Sequence, residues 1–350
     1  MYDGTGGYVS VYLDTSLEVK SSPGEAGLRW RAARERVARR GADARTLDEI
    51  ESLLTDPDRE DPDRAAPGRA IFAKEGRIRL AAPLVTPPRR EIARYGPLPH
   101  LMPLLAQNPP LIPHILVSVN REGGEVVTPD AAELVTGELW PVHKPSSGGS
   151  SQARYQRSAE ETWDENAKRV AEHVTAALKS MPGARVVIAG DVRARSLLLE
   201  HLPKAARESA VIIDREIPAS GEAMAQAARS KLAALAEAEL ARKLDHWHNL
   251  LSRGGAVDGL SGTMAALRDG LAAELFIVDH PGSAASAWIG PNGQDLSLKR
   301  DELRQRGVPD PVRDRADAAL VRAVAVTSAE LDPLPGGPPE AGATLRYGGA

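Results

Sequence analysis

Residues 139–180 run LWPVHKPSSGGSSQARYQRSAEETWDENAKRVAEHVTAALKS and change character midway. The first half carries Pro145, Ser146, Ser147, Gly148, Gly149, Ser150, Ser151 and Gln152. Its two glycines open backbone conformations closed to other residues, and its serines bring no apolar bulk, so a surface loop is expected over 143–157. The second half predicts a long amphipathic helix. Ser158 and Glu161 stand at capping-box spacing, and Trp163, Ala167, Val170, Val174 and Leu178 recur at helical intervals as one apolar stripe that needs a sheet to cover it. Charge singles out the same stretch. Between Glu138 and Glu160 there is no acidic residue, whereas Lys144, Arg154 and Arg157 are fixed positive charges and His143 can add another. In a chain of net charge −4, such a local basic segment calls for a polyanion.

Glycines, then Gln152, Ala153, Arg154 and Arg157, then a helix through Lys168, Arg169, Val170, Ala171 and Glu172, make a recognisable succession. It resembles the middle domain of the archaeo-eukaryotic class-1 peptide-chain release factors and their Pelota relatives, where a Gly-Gly-Gln tripeptide heads the same series. Here Ser150 and Ser151 separate the glycines from Gln152, and the Pro141–Pro145 segment (PVHKP) is similar to the bacterial branch of that superfamily. That branch includes Balon-like hibernation factors and Vms/ANKZF-type peptidyl-tRNA hydrolases.

The resemblance implies an α/β protein of three small domains. Residues 1–108 would be an N-terminal α/β domain, 113–217 an RNase H-like middle domain, and 219–350 an L-seven-Ae-like α/β sandwich. The first domain lacks the Asn-Ile-Lys-Ser and cysteine-bearing loops with which class-1 release factors read stop codons. The implied partner is the bacterial ribosome, at the large-subunit rRNA and the A site, with an elongation factor Tu-type GTPase as a possible second. Carried over residue by residue, Gln152 would position water at the peptidyl-tRNA ester, Gly148 and Gly149 would let the segment reach it, and His143, Lys144, Arg154 and Arg157 would contact rRNA phosphate. A neutral glutamine can orient water without titrating, and a backbone amide can serve the developing oxyanion. Two inserted residues shift Gln152 by up to about 7 Å of extended chain, so occupancy without hydrolysis and active hydrolysis both stay open. A stress-related adaptor binding another RNA or an acidic protein is a third reading.

Composition narrows the rest. No cysteine occurs, which excludes disulfides, thiolate metal sites and a cysteine nucleophile, and fits a reducing cytoplasm. No apolar run approaches the roughly 18 residues of a membrane helix, and the first ten residues lack a signal-peptide pattern, so a cytoplasmic location is expected. The phosphate loop GxxxxGK, the GxSxG elbow and the HExxH helix are all missing, and no metal or cofactor is expected.

Along the chain, Val9, Val11 and Leu13 alternate as in a half-buried strand over 8–16, followed by helices near 24–40 and 43–54 and short strands at 71–73 and 78–80. Arg29, Arg36 and Arg40 share a helix face that either meets RNA phosphates or is solvated. The prolines of 96–113 mark a domain boundary. Strands are expected at 115–119, at Val126 and Val127 after a turn at Gly123 and Gly124, at 185–190 as a run buried on both faces, and at 211–213, with a helix at 197–202. A helix over 219–251 carries the stripe Ala236, Leu240, Leu244, Trp247 and Leu251 and stops at Gly254 and Gly255. Then follow a turn and helix in 256–270, a strand at 275–278, a helix at 311–321 and a strand at 323–326. Asp191 suits a helix N-cap or a catalytic carboxylate, and Asp214, Asp279 and His280 stand at strand ends. His246 and His248 lack the i, i+4 spacing of a metal pair.

Overall fold

The computed structural model describes residues 6–16, 25–56, 63, 66–107, 112–129, 131–136, 149–213, 221–280, 283–337 and 339–347. They form two compact units, Met1–Pro110 with Lys243–Ala350, and Leu111–Arg242. Where three domains are expected from the sequence, the terminal segments share one unit.

The amino-terminal part of that unit holds β1 (Tyr8–Asp14), α1 (Glu25–Ala38), α2 (Ala44–Thr55), β2 (Gly68–Lys74), β3 (Arg77–Leu84), β4 (Ile92–Gly96) and α3 (Met102–Gln107). The strands form an antiparallel sheet ordered β3-β2-β1-β4. Strand β1 is not half-buried as its alternation predicts, for every residue from Tyr8 to Leu13 is buried. Val9, Val11 and Leu13 pack with Trp30, Val37 and Ile50 of the two helices, while Tyr12, Ala70 and Phe72 join a core with Leu267, Leu275 and Leu320 of the carboxy-terminal segment. The polar atoms of this second face have partners. Tyr12 donates its hydroxyl proton to the His100 carbonyl (2.6 Å) and accepts from the Leu104 amide (3.2 Å), and Ser10 Oγ accepts from the His100 amide (3.0 Å). Residues that look solvent-facing in the sequence therefore hold the proline-rich segment against the sheet.

The second unit contains β5 (His114–Asn120), β6 (Gly123–Val127), β7 (Ala132–Thr136), α4 (Gly149–Ser180), β8 (Arg185–Gly190), α5 (Val192–His201), α6 (Lys204–Glu208), β9 (Val211–Ile212) and most of α7 (Glu222–Leu251). Its mixed sheet is ordered β7-β6-β5-β8-β9, with β5, β8 and β9 parallel. The expected two-sided burial of 185–190 holds. Val186 and Ile188 pack with Val170, Val174 and Leu198, while Val187 and Ala189 pack with Met224, Ala228 and Leu232.

Gly124 fixes the distance between helix and sheet. A Cβ there would stand 2.6 Å from the Ser118 carbonyl oxygen and 3.2 Å from Val170 Cγ2. Gly124→Ala should therefore lower the stability of this unit by about 1–3 kcal/mol, measured by urea unfolding. The hairpin itself turns at Arg121 and Glu122, because Gly123 already pairs with Asn120.

The carboxy-terminal part of the first unit comprises β10 (Ala256–Asp258), α8 (Gly259–Arg268), β11 (Ala272–Val278), β12 (Ser286–Ile289), β13 (Leu296–Ser297), α9 (Arg300–Gln305), β14 (Val312–Arg315), α10 (Ala316–Thr327), β15 (Glu330–Leu334) and β16 (Ala341–Leu345). Two sheets result, β10-β16-β11-β15 and β13-β12-β14. Two expectations fail here. Residues 312–315 are a strand paired with β12, and 323–326 continue a helix. Helix α10 is buried nearly all round, from Ala316 to Val324, so its sequence has no polar face to reveal the helical period.

Helix α7 also departs from its expected stripe. Trp247 is buried, with its indole N–H donated to the Val257 carbonyl (3.2 Å) and its ring against Gly342, but Ala236, Leu240 and Leu244 are half-buried and Leu251 is exposed. The division between the two units falls inside this helix, so no single sheet covers its length.

Candidate polyanion-binding arm

Helix α4 begins at Gly149, not at Ser158. The run from Gln152 to Arg157 contains alanine, glutamine and arginine, all strong helix formers, and it extends the helix through what looks like loop in the sequence. Ser158 is consequently an interior residue whose carbonyl accepts the Thr162 hydroxyl (3.0 Å), and no capping box forms. Of the residues singled out, Gly149, Gln152, Arg154 and Arg157 belong to the first turns of α4, and Arg157 is exposed. His143, Lys144 and Gly148 lie outside the described residues.

The helical start changes the chemistry. The amides from Gly149 to Gln152 occupy the first turn, where N–H groups have no intrahelical acceptor and the helix dipole is positive. Gln152 also sits closer to Gly149 than an extended chain would place it, since each helical residue advances the axis by only about 1.5 Å.

The arm has a built base. Arg121, at the β5–β6 turn, places its guanidinium 4.5 Å from the Trp163 ring centroid and 3.4 Å from Asp191 Oδ2. Asn166, buried, donates to the Arg121 carbonyl (3.0 Å). Asp164 meets His201 Nε2 of α5 at 2.7 Å, and His173 meets Glu133 of β7 at 3.0 Å. Gln152 stands about 16 Å up the helix axis from Trp163 at a rise of about 1.5 Å per residue.

Asp191 is the N-cap of α5, accepting from the amides of Arg193 and Ala194 at 3.0 Å each. Burial pushes its carboxyl upward, but the Ala194 and Arg193 amides and the Arg121 guanidinium outweigh this and hold it below the usual carboxylate range. It is thus a fixed anion rather than a base at neutral pH. Asp214 lies outside the described residues. His248 is exposed, and its Nδ1 sits 2.9 Å from the Leu244 carbonyl, an ordinary helix-surface position.

One cluster escaped the sequence reading altogether. Glu274, Glu330 and Asp332 converge as a metal site would, yet Lys243 Nζ fills the space between them at 2.7, 3.1 and 3.0 Å. Burial works against its charge, and the three carboxylates overcome this and raise its pKa. The ammonium takes the place of a cation. Glu274 and Lys243 are far apart in sequence, and only the parallel pairing of β11 with β15 brings the three acids together.

The second unit thus carries a sheet-mounted helix that starts inside a basic segment and is tied to the sheet by ion pairs at its middle. Residues 113–255 match the model of bacterial archaeo-eukaryotic release factor family 2. Two Mycobacterium tuberculosis proteins, Rv2629 of strain ATCC 25618 / H37Rv and MT2704 of strain CDC 1551 / Oshkosh, are each 27% identical over 359 residues, covering 98% of this chain and 94% of their own. Among solved structures, an archaeal translation termination factor, aRF1, matches with 16% identity and a TM-score of 0.23, covering 98% of this chain and 94% of its own. A ribosome-bound archaeal Pelota matches with 11% identity and a TM-score of 0.37, covering 98% and 90%. No helix among the described residues is long and apolar enough to cross a membrane.

Proposed function

We propose that this chain is a ribosome-associated factor of the release factor and Pelota type, which occupies the A site with residues 143–157 directed at the peptidyl-transferase centre. It acts in hibernation or rescue of ribosomes and does not decode stop codons. The observation that carries this reading is the stretch from Glu138 to Glu160, free of acidic residues and continued as a rigid helix within the family-matched segment. Lys144, Arg154 and Arg157, with His143, neutralise rRNA phosphate, and the open amides of the first turn of α4 add to the attraction. An elongation factor Tu-type GTPase is the proposed delivering partner. An RNase H-like middle domain and an L-seven-Ae-like carboxy-terminal domain remain part of the proposal.

Occupancy is favoured over hydrolysis by one feature. Positioning catalysis loses about a hundredfold for an error near 1 Å, and the inserted Ser150 and Ser151 displace Gln152 from Gly149 by about 3 Å along the helix. With ribosomes carrying labelled peptidyl-tRNA and an empty A site, the protein should pellet stoichiometrically while peptide stays bound, and Gln152→Ala should change neither quantity. Release that vanishes in Gln152→Ala would instead make it a peptidyl-tRNA hydrolase.

A further inference from the structure

The first unit contains a cleft of about 700 Å³ lined by Arg36, Arg40, Arg90, Arg94, His100 and Arg315, with Glu91 as the lining carboxylate. These residues come from α1 and the turn after it, from the segment before β4, from β4 itself and from β14. Separated in sequence by up to 279 positions, 36 to 315, they are assembled by the shared core of the terminal segments.

The internal charges are unevenly balanced. Arg94 pairs with the buried Asp314 and donates to the Leu98 carbonyl (3.2 Å), and Arg315 chelates Asp317 (2.5 Å) while donating to the Ser283 carbonyl (3.1 Å). Glu91 is engaged by Arg29 at 3.7 Å. Among the described residues Arg36, Arg40 and Arg90 form no ion pair, Arg36 donating only to the Ala32 carbonyl at 3.5 Å, and all three are exposed. Burial first, then the charges of Arg315 and Arg40, depress the Arg94 guanidinium to about 10, so it stays charged at neutral pH beside like charges. His100, in the lining, is 1% exposed; its Nε2 lies 3.3 Å from Asp317 Oδ2, and neither ring nitrogen makes a hydrogen bond among the described residues. A buried polar atom of this kind normally finds a partner.

The lining offers no tyrosine, tryptophan or phenylalanine for a base to stack on. It offers guanidiniums, which match phosphate oxygens in bidentate fashion. We propose that this cleft binds a row of phosphate groups, with Arg36, Arg40 and Arg90 supplying the free charges and His100 a donor in its lining. The same chemistry fits a soluble polyphosphate and the backbone of a base-paired RNA. The site is independent of the α4 arm and of the ribosome reading.

The test uses the full chain with two probes. Inorganic tripolyphosphate is titrated calorimetrically, and a 16-base-pair RNA duplex is followed by anisotropy with Lys144→Glu, Arg154→Glu and Arg157→Glu already introduced to remove the arm. Each is repeated after Arg36→Gln, Arg40→Gln and Arg90→Gln. Saturable binding of at least one probe that falls at least tenfold in the triple glutamine variant, with an unchanged unfolding midpoint, is the expected result. Tripolyphosphate alone would identify a free polyphosphate ligand, and the duplex alone would identify an RNA backbone. Replacing the three arginines by lysine should restore part of the binding, which a folding defect would not. Absence of binding by both probes, or equal binding by the triple variant, would overturn the site.

Discussion

Reversing Lys144, Arg154 and Arg157 together to glutamate should lower affinity for bacterial ribosomes about a hundredfold at moderate salt, as three phosphate contacts of about 1 kcal/mol each would. The dependence of log affinity on log salt should flatten by about three units, because each neutralised phosphate contributes roughly 0.9. Arg157 is exposed, and Trp163, Asp164, Asn166 and His173 tie the middle of α4 to the elements around it. Thermal unfolding of the same variant separates a loss of binding from a loss of stability. Sedimentation across a salt series reads both quantities, and an unchanged affinity would remove the arm from the ribosome interface.

Replacing Asp314 by asparagine should destabilise the first unit by about 3–5 kcal/mol, lowering its unfolding midpoint by about 10 °C. The Asp314 side chain is fully buried, pairs with Arg94, and accepts from the amides of Leu98 and Arg315 at 2.7 Å each. Asparagine keeps the shape and loses the charge, which leaves the largely buried Arg94 guanidinium without its anion. The pair links β4 and the segment after it to β14, so amide exchange at Leu98 should accelerate with the fall in stability. Adding Arg94→Met should recover most of the loss, because a buried pair replaced as a whole costs far less than a pair broken. A double variant as unstable as the sum of the singles would show that the two residues act separately.

The second unit was the more legible from sequence because its signals are local. The apolar run Val186–Ala189 within 185–190, the stripe on α4 and the Asp191 cap each depend on neighbours a few residues away, and each forms as expected. The first unit was less legible because its signals are long-range. Ser10 and Tyr12 resemble the wet side of a strand until the carboxy-terminal core and the 97–104 segment cover them. Helix α10 hid its period by being buried all round, and Lys243 and its three acids meet only once β11 and β15 pair. At the arm, the glycine and serine composition pointed to a loop, while the alanine, glutamine and arginine after it carried the helix back to Gly149. The basic charge of the segment was visible in the sequence throughout, whereas the cluster of Arg36, Arg40, Arg90, Arg94 and Arg315 needed the fold.

The most direct measurement is competition for the A site. Ribosomes with a vacant A site and ribosomes whose A site is filled by tRNA are each pelleted with the protein, and bound protein is quantified per ribosome. Occupancy of the A site predicts about one copy per vacant ribosome and loss of binding when tRNA fills the site. Equal recovery on both, or recovery on neither, would contradict it.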